Sequence, residues 1–420
     1  MHSMANYQDD RLLKECLNSV REHQTLPSPA NTQLLQQVAG ANATENDYMY
    51  GGFGSSVGIR AALHSIGTTL YECTRILDFG CGPARIIRWF KDASPHAKLY
   101  GCDINPPAID WCKANIDFAA FSINAPTPPL PYDDAMFDLV YGISVLTHLD
   151  ESMQMAWLRE LSRVTKPGAI VLLSVHGEDK AKSDVGTLEY DEFRRAGFLY
   201  RAATEKATVD GLPSFYQVSF HSQQYIRTKW TELFDVLAIY PHGCMYAQDL
   251  VVLRRPAGQR TPHSMRAERH LPLAAVETPL IRSQIDNRFL APHFDVRGWA
   301  FSPNGETPGI EVLLDGEKVG ICTPADARPP VHDAFPTVPA AANSGFSLRM
   351  SPESLGRGPH ILWLRIEGEP MPLWATFFQC PTPRWKKRFD QLLWQIRCKV
   401  RLRTRLRALF NSPTAFQRDR

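Results

Sequence analysis

Hydrophobic positions recur along this chain in two alternating patterns. Short apolar runs read as buried strands: Ile76-Leu77 into Asp78-Phe79, Leu99 to Cys102, Phe121 to Ile123, Phe137 to Ile143 and Ala169 to Val175. Two more follow at Phe234 to Tyr240 and Gln248 to Leu253. Between them, apolar residues at three- and four-residue spacing read as helices: Ile86, Ile87 and Phe90, then Ala108 to Asn115, Leu158 to Val164, and Ser222 to Trp230. Strands alternating with helices through short turns predict an α/β fold built on a doubly wound, mostly parallel sheet.

Upstream, Leu12, Leu13, Cys16, Leu17 and Val20 make one helical stripe and Leu34, Leu35 and Val38 another. They are broken at Pro27-Ser28-Pro29, so 1–45 reads as a helical segment that docks on the rest. Gly51-Gly52 and Gly54 predict a loop, and Val57, Ile59, Ala62, Leu63 and Ile66 an amphipathic helix after it. The sheet pattern fills 46–256 and loses its period between Gly177 and about Phe220. Residues 257–284 read as a linker. In 285–380, short strands punctuated by Asp315-Gly316 and prolines predict a small all-β sandwich. The tail, 381–420, reads as a basic amphipathic helix. From Arg384 to Phe410 it carries ten Lys and Arg against Asp390, with Trp385, Phe389, Leu392, Ile396 and Val400 on one face.

The chemistry gathers at RILDFGCGPARIIRWF, Arg75 to Phe90. A strand that turns on Gly80-Cys81-Gly82-Pro83 into a helix can cradle a nucleotide, because glycine permits the tight turn and helix N-termini present free N–H groups. An acidic residue at the end of the next strand takes the ribose hydroxyls. Asp103 stands there. The dinucleotide fingerprint asks for a third glycine, but Arg85 or Ile86 occupies that place. Asp78 just before the turn would repel a pyrophosphate and suits a zwitterionic amino-acid tail. S-adenosylmethionine is therefore favoured over NAD.

DFGCGPAR resembles motif I of the class I S-adenosylmethionine-dependent methyltransferases. YGCDINPPAIDWCKAN and SVLTHLDE…WLRELSRVTKPGAIVLLSVHG resemble the same superfamily's second-strand and fourth-to-fifth-strand regions. The resemblance implies a seven-stranded sheet and a transferase of the S-adenosylmethionine methyl group. Matched position by position, it assigns Asp78, Gly80, Gly82, Asp103, Ile104, Asn124, Ala125 and Ser144 to the cofactor; because the family commonly shapes its substrate pocket with the region before the sixth strand, Tyr200, Phe215 and Tyr216 are assigned to the acceptor or, equally, to the core. GWAFSPNG…VLLDGEKVG…SGFSL resembles a small β domain appended to bacterial glycosyltransferases and surface-polysaccharide enzymes. That implies polysaccharide biosynthesis and a hydroxyl of a sugar or glycan-linked acceptor.

Methylating a hydroxyl needs a proton acceptor; His176, at the end of the fifth strand, and His148, just beyond the fourth, stand where a parallel sheet opens its crevice, with neither of them as the remaining reading. No spacing of His, Cys or carboxylates suggests a metal. Where methyltransferases of base amino groups carry an NPPY-like tetrad, this chain has Tyr141-Gly142-Ile143-Ser144, so no specific nucleic acid is expected. A catalytically inactive scaffold in a glycan-assembly complex is the alternative, against which the intact glycines and Asp103 speak.

Composition adds little. The chain has 420 residues, 44% hydrophobic and 21% charged, with net charge +2, as for a soluble globular protein of two or three domains. The opening MHSMANYQDDRLLKE lacks the apolar stretch of a signal peptide, and nine scattered cysteines read as reduced thiols. A cytoplasmic protein is expected, its 384–410 helix either peripheral at the inner face of an anionic membrane or packed on its own protein with a solvated basic face.

Overall fold

A computed structural model describes residues 2–23, 26–29, 31–39, 43–202, 216–244, 248–258, 273–278, 294–302, 309–334, 338–350, 355, 358–366 and 372–380. The basic tail expected over 381–420 lies outside the described residues, as does Phe215.

The first half runs α1 (His2–His23), α2 (Thr32–Ala39), α3 (Glu45–Ser65), β1 (Arg75–Phe79), β2 (Lys98–Asp103), α4 (Pro106–Asn115), β3 (Ala119–Ile123), β4 (Phe137–Gly142), α5 (Glu151–Val164) and β5 (Thr165–Val175). Then come α6 (Glu178–Asp184), α7 (Thr187–Ala196), β6 (Phe198–Arg201), β7 (Val218–His221), α8 (Gln223–Lys229), β8 (Asp235–Cys244) and β9 (Gln248–Arg254). Seven strands form one sheet in the order β3-β2-β1-β4-β5-β9-β8, parallel from β3 to β5, with β9 antiparallel to both neighbours. The register sets Asp78 beside Gly101 and Tyr141, and Asp103 beside Ile123. The carboxyl ends of β1, β2 and β4 thus open on one crevice.

Three expectations are corrected. Gly51, Gly52 and Gly54 sit inside one continuous helix, α3, closed at its start by a capping box between Thr44 and Asp47. A Cβ at Gly52 would overlap the Arg85 carbonyl, and one at Gly58 the Gly243 carbonyl. Glycine serves close packing there, not a turn. After the glycine turn, no α-helix forms over 84–90; turns lead into a 3-10 helix, Ile87–Ala93. Finally, the stretch read as a linker holds a strand, β10 (Leu273–Thr278), which pairs antiparallel with β11 (Phe294–Phe301). The patternless Gly177–Phe220 region is helical in α6 and α7 and closes with the β6–β7 hairpin, whose intervening residues 203–215 lie outside the description.

The remaining elements are β12 (Ile310–Leu314), β13 (Glu317–Cys322), α9 (Pro329–Ala334), β14 (Gly345–Met350), β15 (Gly358–Ile366) and β16 (Trp374–Cys380). They form two small antiparallel sheets, β10-β11-β14 and β13-β12-β15-β16, around a shared core that includes Val296, Val312, Phe346, Leu362 and Phe378. The outer face of the second sheet is apolar too. Its Leu313, Ile361, Trp363 and Phe377 join the core of α1, α3 and the large sheet, with Phe377 edge-on to Phe53 at 5.1 Å and to Trp89 at 5.6 Å. Beneath this contact Arg60 bridges Glu15 and Asp92, and His64 meets Glu15, tying α1 to α3.

Candidate active site

The turn after β1 is built by its two glycines. Gly80 has φ +75° and Gly82 φ +50°, where a Cβ is strained, and a Cβ on Gly80 would also overlap Val145. The amides of Gly80 and Cys81 both donate to the Cys102 carbonyl, at 2.8 and 3.0 Å. Gly82 N–H donates to Asp103 Oδ2 and Asn105 N–H to Asp103 Oδ1, each at 2.8 Å. The acidic strand end therefore holds the turn directly. Burial raises the Asp103 pKa, and those backbone donors oppose the shift.

Asp78 is buried and its Oδ2 has no hydrogen-bond partner among the described residues. Burial pushes its pKa up to about 7, against the pull of the Tyr141 hydroxyl and Arg85. Asn124 spends its amide N–H on the Ala125 carbonyl at 2.7 Å, and its Oδ1 is likewise unpartnered. Ser144 adopts φ +63°, uncommon for a residue with a Cβ. It is held there from both ends: its N–H donates to Ser174 Oγ at 2.7 Å and its Oγ accepts from Gln248 Nε2 at 2.8 Å. Ser174 in turn donates to Gln248 Oε1 at 2.6 Å.

These groups surround a cavity of about 700 Å³. Asp78, Gly80, Gly82, Asp103, Ile104, Asn124 and Ser144 all line it. Ala125 does not; it contributes only the carbonyl that orients Asn124. Sequence reasoning missed one wall, made by α2 and the residue before it, with Asn31, Gln33, Gln36 and Gln37. It also gave Arg85 no role at the cavity, and Arg85 lines it.

The two histidines separate. His148 lines the cavity, stacked on Tyr216 at 3.7 Å, and its Nδ1 lies 2.8 Å from the Gln217 carbonyl. A carbonyl only accepts, so Nδ1 carries the proton and Nε2 keeps a lone pair. Burial pushes the His148 pKa down to about 4, so the ring is neutral at ordinary pH. His176 does not line the cavity. It lies 6.4 Å from His148 between ring centres, with Nδ1 toward the Ser219 carbonyl at 3.2 Å and β7 bridged against it. Tyr216 lines the cavity and Tyr200 does not. Among the described residues no His, Cys, Asp and Glu cluster of three or more is arranged to hold a metal.

Residues 77–173, which carry the turn, Asp103, Asn124 and His148, match the family described as a methyltransferase domain. The chain carries a class I methyltransferase domain. S-adenosylmethionine is the cofactor of that domain class. The residues of this site fit it: the unpartnered Asp78 oxygen suits an ammonium, the unpartnered Asn124 oxygen an adenine amino group, and the glycines leave room for close backbone approach.

A tRNA (carboxymethyluridine(34)-5-O)-methyltransferase of Arabidopsis thaliana is 33% identical over 115 residues, 27% of this chain and 26% of that protein. A probable methyltransferase, ltbC, of Aspergillus luteorubrus is 31% identical over 157 residues, 34% of this chain and 55% of its own length. The chain thus spans from about a quarter to just over half of these relatives. Among solved structures, the N-methyltransferase NodS of Bradyrhizobium japonicum with S-adenosyl-L-homocysteine aligns over 57% of this chain and 96% of its own, at 15% identity and TM-score 0.33.

Proposed function

We propose that the chain transfers the methyl group of S-adenosylmethionine to a hydroxyl of a sugar or glycan-linked acceptor, with His148 as the proton acceptor. The observation that carries this is the His148 tautomer. Its Nδ1 is committed to the Gln217 carbonyl, so a basic Nε2 remains on a neutral ring in the cavity wall. The bound cofactor supplies a methyl group already activated by a sulfonium leaving group.

The chain's own residues supply position. Asp103 takes the ribose hydroxyls, Asn124 reads adenine, and Asp78 holds the amino-acid end. The strained Ser144 loop, braced by Ser174 and Gln248, fixes the floor on which the acceptor aligns; such alignment contributes several kcal/mol, on the order of 7–11 in favourable cases. His148 Nε2 accepts the hydroxyl proton. The sugar assignment is supported by the likeness of 285–380 to β domains of glycan enzymes. The relatives named for tRNA match over about a quarter of this chain.

Calorimetric titration with S-adenosylmethionine, S-adenosylhomocysteine and NADH tests the cofactor, and labelled-methyl transfer to sugars, glycans and tRNA tests the acceptor. Micromolar binding of the first two and label in a sugar are expected. Label in tRNA alone would overturn the acceptor, and no binding of either adenosyl ligand would overturn the enzyme.

A further inference from the structure

His148 closes a short 3-10 helix, Leu146–His148, and a side chain outside the cavity holds that turn. Gln154, on α5, is 1% exposed and does not line the cavity. Its Nε2 donates to the Leu146 carbonyl at 2.8 Å and to the Leu149 carbonyl at 2.9 Å. One amide group therefore brackets His148 from both sides along the chain. Carbonyls only accept, which puts the amide nitrogen at them and the amide oxygen opposite. That oxygen accepts from His221 Nε2 at 2.7 Å, at the end of β7. Gln154 Nε2 also lies 3.1 Å from Ser219 Oγ, which itself donates to the Leu146 carbonyl at 2.8 Å.

The strand reached in this way is the one that sets the histidine tautomer. His148 Nδ1 donates to the Gln217 carbonyl at 2.8 Å, and the Gln217 amide donates back to the His148 carbonyl at 3.2 Å. Tyr216, one residue earlier, is the ring on which His148 stacks. β6 and β7 form a two-stranded sheet of their own. Such a ribbon is marginal by itself, so its ties to the body of the fold decide where it lies. Gln154 joins the His148 turn, α5 and β7 through one side chain. Without its amide, the Leu146 and Leu149 carbonyls and His221 Nε2 each lose a buried partner, and the joint between turn and strand is where the structure would give.

We propose that Gln154 is a positioning residue of this site: it holds the His148 turn and β7 in the register that keeps the proton on Nδ1 and the basic Nε2 at the cavity. The proposal rests on the reading of His148 as proton acceptor and deepens it. Gln154 acts only through His148, and no covalent step changes. A role in packing alone would cost stability and leave the His148 ring as it is.

The test uses the full chain saturated with S-adenosylhomocysteine, its histidine rings labelled with nitrogen-15 and read by long-range proton–nitrogen NMR. The signals missing from His148→Gln assign the ring. In the parent chain, His148 is expected as a single neutral form with its proton on Nδ1. Gln154→Met keeps the length and apolar packing of the side chain but has no donor. It should mix the two tautomers and raise the His148 titration midpoint by about one pH unit or more, because a loosened β7 admits water to the ring. Tyr216 and His176, the ionisable side chains set against that ring, are the same in both proteins. S-adenosylhomocysteine affinity should stay within about twofold, since Gln154 does not line the cavity. A Gln154→Met protein whose His148 ring keeps the parent tautomer and midpoint overturns the proposal and leaves the His148 reading intact, whatever stability has been lost. A parent ring protonated on Nε2, or titrating near about 6.5, overturns that reading and the proposal with it. Should Gln154→Met not fold, Gln154→Glu is read in the same way, because it keeps the shape and offers one proton at most where the amide offers two.

Discussion

Replacing Asp78 by Asn should make the ligand-free protein more stable and its cofactor binding weaker, with a size that depends on pH. The carboxyl is buried, and burial raises its pKa from 3.8 to about 7. A group whose folded pKa lies above its unfolded one adds stability that is complete below the unfolded value and lost as pH rises through the folded value. The gap of about three pH units corresponds to roughly 4 kcal/mol, of which roughly 3 kcal/mol is lost between about pH 5 and pH 8.5. Asn cannot ionise and escapes this loss. The buried histidines titrate in both proteins, so they cancel in the difference. Urea unfolding of both proteins without cofactor, at pH 5 and pH 8.5, measures it. The stability gap in favour of Asn should widen by roughly 3 kcal/mol over that interval. S-adenosylhomocysteine affinity at pH 8.5 should fall about tenfold or more, as expected for losing a hydrogen bond to a charged group. In the parent chain, affinity should drop below about pH 7, because binding an ammonium there requires expelling the Asp78 proton. A pH-independent gap would refute the titration, and undiminished affinity in the variant would refute the placement of Asp78 at the amino-acid end.

His148→Gln should lower kcat by roughly 10²–10⁴-fold with S-adenosylhomocysteine affinity nearly unchanged, in steady-state assays with the acceptor. Because burial holds His148 down to about 4, the parent kcat should show no inflection near pH 6.5; a drop there would mean the ring is not held neutral. Asp103→Ala should weaken S-adenosylmethionine by about 1.5–3 kcal/mol in calorimetry, since a charged acceptor is lost and two backbone donors are released. Arg60→Met should destabilise by about 3–5 kcal/mol in denaturant unfolding, because Asp92 and Glu15 stay buried after their cation is gone. A loss under 1 kcal/mol would show that α1 is held by its apolar stripe alone.

What could be read from sequence was what is local. The sheet strands announce themselves as short apolar runs, and the turn residues and Asp103 as glycine and acid at set spacing. All of them except Ala125 came to one cavity. The failures arise where distant parts of the chain decide. Glycine in a helix costs about 1 kcal/mol relative to Ala, so three of them within four residues read as a loop. Yet Gly52 lets the Arg85 carbonyl approach α3, a contact 33 positions away that no local pattern encodes. β10 is a six-residue, alanine-containing strand whose identity rests on pairing with Trp299 and Ala300 of β11. The two histidines part for a similar reason. His176 follows β5 directly and His148 closes a 3-10 helix beyond β4; the His221 amide donates to the His176 carbonyl at 2.8 Å, so β7 pairs at His176 while His148 lines the cavity.

The distribution of satisfied and unsatisfied polar groups carries the functional argument furthest. Away from the cavity, Arg60 pairs with Glu15 and Asp92, Glu160 with Arg163, and Glu311 with Lys318 and Arg365, although single atoms such as Arg60 Nε and Arg88 Nε are buried without a partner there too. At the cavity, Asp78, Arg85 and Asn124 each keep a buried polar atom without a partner. Asp78 and Arg85 line the same space. The turn between them in the chain is fixed by the Gly80 and Cys81 amides on the Cys102 carbonyl and by the Gly82 amide on Asp103. Buried polar atoms left without partners on residues that line one cavity cost free energy and are complementary to a bound molecule. Asp78 calls for a cation, Asn124 for a donor, and Arg85 for an anion. S-adenosylmethionine carries all three, an ammonium and a carboxylate at its amino-acid end and an amino group on its adenine.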